Sequence, residues 1–186
     1  MLRTFIAVDI SDRQREEVGA ILDKLMDYDV RVKWVKIGNV HVTLKFLGDT
    51  DDKILPDLYG AISDSVSSHK AFELSLEKLG CFPNAHRPRV IWVGIKDGYD
   101  GLRELSWEIE RAVEPFGFKP EKRKFSAHLT IGRVKDARNI ESLTRDISGI
   151  DFSSSGTTIS KVVFYQSTLR PQGPIYTSLK EFELIS

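Results

Sequence analysis

Apolar positions in this chain switch between a period of two and a period near three and a half, which marks alternating strands and helices. Residues 5–10 form a short apolar run that predicts a buried strand. Ser11 or Asp12 then offers an N-cap, and Val18, Ile21, Leu22 and Leu25 recur at helical spacing, so residues 12–27 should form an amphipathic helix. Residues 33–37 read as extended. Gly38 and Asn39 turn the chain into a strand that runs from His41 to Leu47 and ends at Gly48. Ile54, Leu55, Leu58, Ile62 and Val66 predict a second helix, residues 72–79 alternate as a strand, and residues 80–88 read as a loop.

The same order then starts again. Residues 90–95 predict a strand, and residues 99–116 predict a helix through Leu102, Leu105, Ile109 and Val113. A basic connector, 119–124, leads through Phe125 into a strand that opens on His128. A weaker helix around Ile140, Leu143 and Ile147 follows, then a serine-rich loop at 153–156, a strand at 159–168, a tight turn at 170–174 and a last strand at 176–184. Phe5 matches Val90 at an offset of 85, and His41 matches His128 at 87. The expectation is an α/β chain of the α+β type, one domain over residues 1–186 with an internal repeat of approximately 3–82 and 88–184. Two such lobes, related by an approximate two-fold axis, would set equivalent side chains opposite one another across a central cleft.

What the repeat carries is a short polar–apolar alternation, His41-Val42-Thr43-Leu44 and again His128-Leu129-Thr130-Ile131. On a pleated strand His41, Thr43 and Lys45 would project to one face and Val42, Leu44 and Phe46 to the other. Composition narrows what such pairs do. The 27 basic residues cancel the 27 acidic ones, so no global field draws a polyanion, and a nucleic acid would have to meet a local basic patch. Cys81 is the only cysteine, which removes an intrachain disulfide and a cysteine-based zinc site. Charges at Asp9 and Asp12 interrupt any signal-peptide core, and no apolar run approaches a membrane span of roughly 20 residues. A soluble cytoplasmic monomer is expected.

Two imidazoles suggest either a metal site or acid–base chemistry. For a metal, threonine is a poor ligand and no carboxylate sits at ligand spacing from either histidine, although His86 is a conceivable third donor. Acid–base work fits better, because an imidazole with an ordinary pKa near 6.5 is readily held in either protonation state. A displacement at phosphorus needs one group to deprotonate the nucleophile and another to protonate the departing alkoxide. The hydroxyls of Thr43 and Thr130 would donate to phosphate oxygens between them, and Lys45 and Arg133 would add positive charge. No metal and no cofactor is expected.

At these residues the chain resembles the two-histidine phosphoesterase superfamily, and within it the RNA 2′,3′-cyclic phosphodiesterases once described as 2′-5′ RNA ligases. The resemblance runs from residues 3–8 (RTFIAV) through 41–48 (HVTLKFLG) and 125–133 (FSAHLTIGR) to 169–176 (LRPQGPIY). It implies antiparallel sheets lining a central groove, with helices outside. It also implies His41 as the proton donor to the leaving 3′ oxygen and His128 as the proton acceptor that activates water. Thr43 and Thr130 would bind the phosphate, and the substrate would be RNA with a 2′,3′-cyclic phosphate end, tRNA-derived ends included. The product would be a 2′-phosphomonoester, and joining of RNA ends through a 2′-5′ linkage belongs to the same family. The residues alone say only that one histidine gives and the other takes.

Further substrate contacts are expected from Phe82, Arg89, Phe125 and Tyr176, aromatics and an arginine near strand ends that suit single-stranded RNA by stacking. Trp92 reads as core. Arg87, Arg89, Lys122, Arg123 and Lys124 are candidates to follow a phosphate backbone. Two other readings stand beside the hydrolase: a non-catalytic module for RNA ends or nucleotides, and a phosphodiesterase for small cyclic nucleotides.

Overall fold

The computed structural model describes all of residues 1–186. In chain order the elements are β1 (Leu2–Val8), α1 (Asp12–Met26), β2 (Arg31–Trp34), β3 (Val42–Thr50), α2 (Leu55–Val66), β4 (Phe72–Leu74), β5 (Leu76–Phe82), β6 (Val90–Ile95), α3 (Tyr99–Val113), β7 (His128–Asp136), α4 (Ile140–Ile147), β8 (Thr157–Ile159), β9 (Lys161–Thr168) and β10 (Ile175–Glu183). α1 begins as its sequence requires. The Ser11 hydroxyl accepts from the Gln14 backbone N–H while the Gln14 side chain accepts from the Ser11 N–H, a reciprocal cap.

Seven strands run in the order β10-β9-β1-β3-β7-β6-β5, with β2 added against β7, and every pairing is antiparallel. The sheet is continuous only through a single register pair, Val42 opposite Leu129, where β3 meets β7. β4 and β8 form a separate two-stranded sheet. Apolar stripes of the four helices, among them Val18, Leu58, Ile62, Leu102, Ile109 and Leu143, pack on one face of the strands with Val42, Leu44, Leu129 and Ile131. The fold is a mixed α+β arrangement of antiparallel sheets and four helices.

Several elements differ from expectation for local reasons. The strand expected at 72–79 breaks at Ser75, whose backbone and hydroxyl turn aside to bond Lys96 and Asp97, and the chain changes sheets there. The strand expected at 159–168 breaks likewise at Ser160. The loop expected from residue 80 starts later, because Gly80, Cys81 and Phe82 still pair with Trp92, Ile91 and Val90. Trp92 is half-buried rather than core, with its indole lying over Gly80.

The largest correction concerns Lys45 and Phe46. Strict alternation fails because a β-bulge at Leu44 lets two residues of β3 oppose one of β1, which reverses the faces beyond it. Lys45 is thereby turned away from His41 and Thr43 and buried, with its ammonium donating to Glu110 of α3 at 2.7 Å and to the Lys119 carbonyl at 2.8 Å. Phe46 takes the groove side and is 47% exposed. A matching bulge at Ile131 in β7 delivers Arg133 to the groove.

The Lys45–Glu110 pair yields a test of this placement. Glu110→Ala leaves an unpaired buried ammonium and should cost roughly 3 kcal/mol, whereas Lys45→Met with Glu110→Leu should be near neutral. Urea unfolding of both variants and the wild type measures this, and equal losses in the two variants would contradict the buried pair.

Candidate active site

The site is built at the β3–β7 junction. In an antiparallel pair, the residue before one partner lies toward the residue after the other. Val42 opposite Leu129 therefore brings His41 toward Thr130 and Thr43 toward His128. All four border a cavity of about 500 Å³, and Thr43, His128 and Thr130 also border an adjoining one of about 760 Å³. The two cavities share Phe46 and Arg133.

Each imidazole is held in the same way. His41 Nδ1 donates to the Asn39 carbonyl at 2.8 Å, and His128 Nδ1 donates to the Ser126 carbonyl at 2.7 Å. A carbonyl only accepts, so each neutral ring carries its proton on Nδ1 and has its lone pair on Nε2. His41 Nε2 accepts from the Thr43 hydroxyl at 3.1 Å. Phe5, buried beneath the groove, stacks on His41 at 4.8 Å, and the Tyr176 ring meets His41 edge-on at 5.3 Å. Phe82 braces His128 edge-on at 5.0 Å.

Burial lowers both histidine pKa values from 6.5, more than their carbonyl partners raise them, and the Arg133 guanidinium lowers them further. His41 also feels Asp9, which raises its pKa, and Arg15, which lowers it. No carboxylate acts on His128 in this way.

The remaining candidates divide between the compartments. Tyr176 lies in the first, with Arg133; Phe82, Arg89, Phe125 and Arg133 lie in the second, with Arg123 and Lys124 on its rim. Lys45 reaches the second only as wall, since its ammonium is committed to Glu110. Arg87 and Lys122 border neither, and His86 lies apart from both. Contributors that went unread in the sequence include Trp34, Phe46, Lys33 and Lys36, with Arg3 and Lys135. Lys33 stands directly opposite Arg133 across the β2–β7 pair, and Trp34 lies against Gly132, where a Cβ would sit 2.9 Å from its ring. Like charges opposed across strands are unfavourable without an anion between them. None of Arg3, Lys33, Lys36, Arg133 and Lys135, all lining the first cavity, forms an ion pair, and that cavity has no carboxylate in its wall. The groove is thus electropositive in a chain of zero net charge.

The imidazoles should show this environment directly. In the free protein, NMR titration of the two rings should give midpoints below 6.5, and inorganic phosphate should move both upward, since an anion favours the imidazolium. Midpoints at or above 6.5 without phosphate would contradict the burial argument.

Four similarities bear on this chain. The sequence pattern of the 2'-5' RNA ligase superfamily matches residues 28–169, a span that contains both histidines. An RNA 2',3'-cyclic phosphodiesterase of Methanothermobacter thermautotrophicus is 35% identical over 184 residues, 98% of this chain and 99% of that one. Its counterpart in Archaeoglobus fulgidus is 36% identical over 183 residues, 98% and 100% of the two chains. Among solved structures, E. coli LigT complexed with 3'-AMP superposes with a TM-score of 0.81 over 100% of this chain and 99% of that one, at 22% identity, a likeness of fold. No helix is long and apolar enough to cross a membrane.

Proposed function

This chain belongs to the 2'-5' RNA ligase superfamily and is homologous along nearly its whole length to RNA 2',3'-cyclic phosphodiesterases, and we propose that it hydrolyses RNA 2′,3′-cyclic phosphate ends to 2′-phosphomonoesters. The observation that carries the reading is the pair of imidazoles, each locked at Nδ1 by a backbone carbonyl, on one electropositive cavity. His41 protonates the departing 3′ oxygen, and His128 takes the proton of the attacking water. Thr43 and Thr130 donate to the non-bridging oxygens, and Arg133 offsets the charge that grows there. No step requires a metal. A binding module would gain nothing from two fixed tautomers, which is why catalysis is preferred to simple capture of RNA ends.

Two lobes related by an approximate two-fold axis form part of the same reading. The order β9-β1-β3 followed by β7-β6-β5 supports it, and so does the pairing of equivalent residues at Val42 and Leu129. Joining of RNA ends is a second reaction the site accommodates. The cavity of about 760 Å³ beside His128 has room for an RNA hydroxyl in the place of water, with Phe82 and Phe125 available for stacking.

His41→Ala and His128→Ala should each lower kcat by about a hundredfold or more, with the wild type fully active in chelator. Full turnover of a cyclic-phosphate oligonucleotide by His41→Ala would sink the proposal. Lys33→Glu with Lys36→Glu should raise KM for an RNA oligonucleotide severalfold, leave kcat nearly unchanged and weaken the salt dependence of binding. An unchanged KM at low salt would show that these lysines meet no phosphate.

A further inference from the structure

His41 and His128 share a tautomer and a backbone-carbonyl partner, and those two features give no reason for one to donate and the other to accept. The neighbouring strands do differ. In β7 the residue paired with His128 is Gly94 of β6, and a side chain there would meet the Glu77 carbonyl at 2.9 Å, so that position stays bare. At the offset of 85 that matches Phe5 to Val90, the counterpart of Gly94 is Asp9, one residue beyond Val8, which pairs with Val42 next to His41.

Asp9 is held from two sides. The Tyr165 hydroxyl donates to its Oδ2 at 2.7 Å, and the Arg15 guanidinium lies 3.6 Å from its Oδ1. Arg15 also donates to the carbonyls of Ile37 and Val40, at 3.0 Å each, in the short turn that contains Asn39. That turn supplies the carbonyl that fixes His41 Nδ1. The Tyr165 ring lies 6.4 Å from the His41 ring and 5.2 Å from Phe5, so the same tyrosine packs beside the imidazole and anchors the carboxylate.

We propose that Asp9, with Arg15 and Tyr165, is a positioning network that makes His41 rather than His128 the proton donor. It rests on the two-histidine reading and goes beyond it by naming what breaks their equivalence. A carboxylate near one imidazole favours its cationic form, and Gly94 gives the other no such partner. Arg15 opposes that charge on His41 but holds the turn that orients the ring. The remaining groups facing His41 are Arg133 of β7 and Tyr176 of β10. Burial and Asp9 together push the Tyr165 phenol far above its usual range, so it stays a hydrogen-bond donor across the working pH.

The experiment is the pH dependence of turnover in Asp9→Asn, which keeps the acceptor for Tyr165 and loses the charge, and in Arg15→Met. Loss of a nearby negative charge lowers the pKa of an imidazolium. The alkaline limb, where His41 gives up its proton, should therefore move down by about half a pH unit or more in Asp9→Asn. kcat should fall about tenfold, a part of the ~10²–10⁴ that a placed acid contributes, with KM within about twofold. Arg15→Met should lower kcat while moving the same limb upward. The acidic limb, set by His128, should stay in place in both, and Asp9→Glu should recover most of the limb position. Limbs that shift together, or an alkaline limb unmoved in either variant, would overturn the proposal while leaving the two-histidine reading intact. An active His41→Ala would instead remove that reading itself. Should Asp9→Asn fail to fold, the limb in Arg15→Met and NMR titration of His41 in Tyr165→Phe decide the matter. A downward limb in Arg15→Met, or a His41 midpoint that is unmoved or raised in Tyr165→Phe, would refute the proposal, since losing the anchor of Asp9 should lower that midpoint.

Discussion

Everything in the groove depends on one backbone pairing, Val42 with Leu129. It joins segments far apart in sequence and is the only register pair through which the large sheet continues between β3 and β7. Because it is antiparallel, it sets each histidine toward the threonine of the other segment, and four polar side chains converge without any loop having to be placed. The helices under the sheet hold this seam from below by packing on Val42, Leu44, Leu129 and Ile131. The opposite face is thereby free to be polar.

The second constraint is the pair of bulges that follow the histidine motifs. Each shifts its strand by one residue, so that Phe46 and Arg133 reach the groove while Lys45 sinks to Glu110. The charge of the site is set as much by this geometry as by composition. A chain of balanced charge gathers five cations around the first cavity because the ion pairs that neutralise its surface, such as Arg31 with Asp136, end short of the rim.

How much of this was legible follows from how each feature is encoded. Periodicity carried the helices, most strands and the matched order of the two segments, because burial on one face writes a regular pattern. Two histidines at matched positions carried the site. The bulges were not legible, since nothing in His-Val-Thr-Leu-Lys-Phe marks where a second residue will oppose one partner, and Lys45 and Phe46 exchanged places as a result. Lys33 and Trp34 were passed over as an ordinary extended stretch, because only tertiary pairing with β7 brings them beside Arg133. Asp9 stood out only as a charge within the apolar run 5–10, and its meaning depends on Tyr165, 156 residues away in sequence.

The bare position at Gly94 opposite the charged one at Asp9 bears on regiochemistry. A 2′,3′-cyclic phosphate offers two ring oxygens bonded to the same phosphorus, and the substrate itself distinguishes them only weakly. A groove with equivalent ends would accept the ring either way round and open it to a mixture of isomers. On the proposed reaction, a carboxylate at one end and a glycine at the other would pass the choice of which P–O bond breaks from the substrate to the protein.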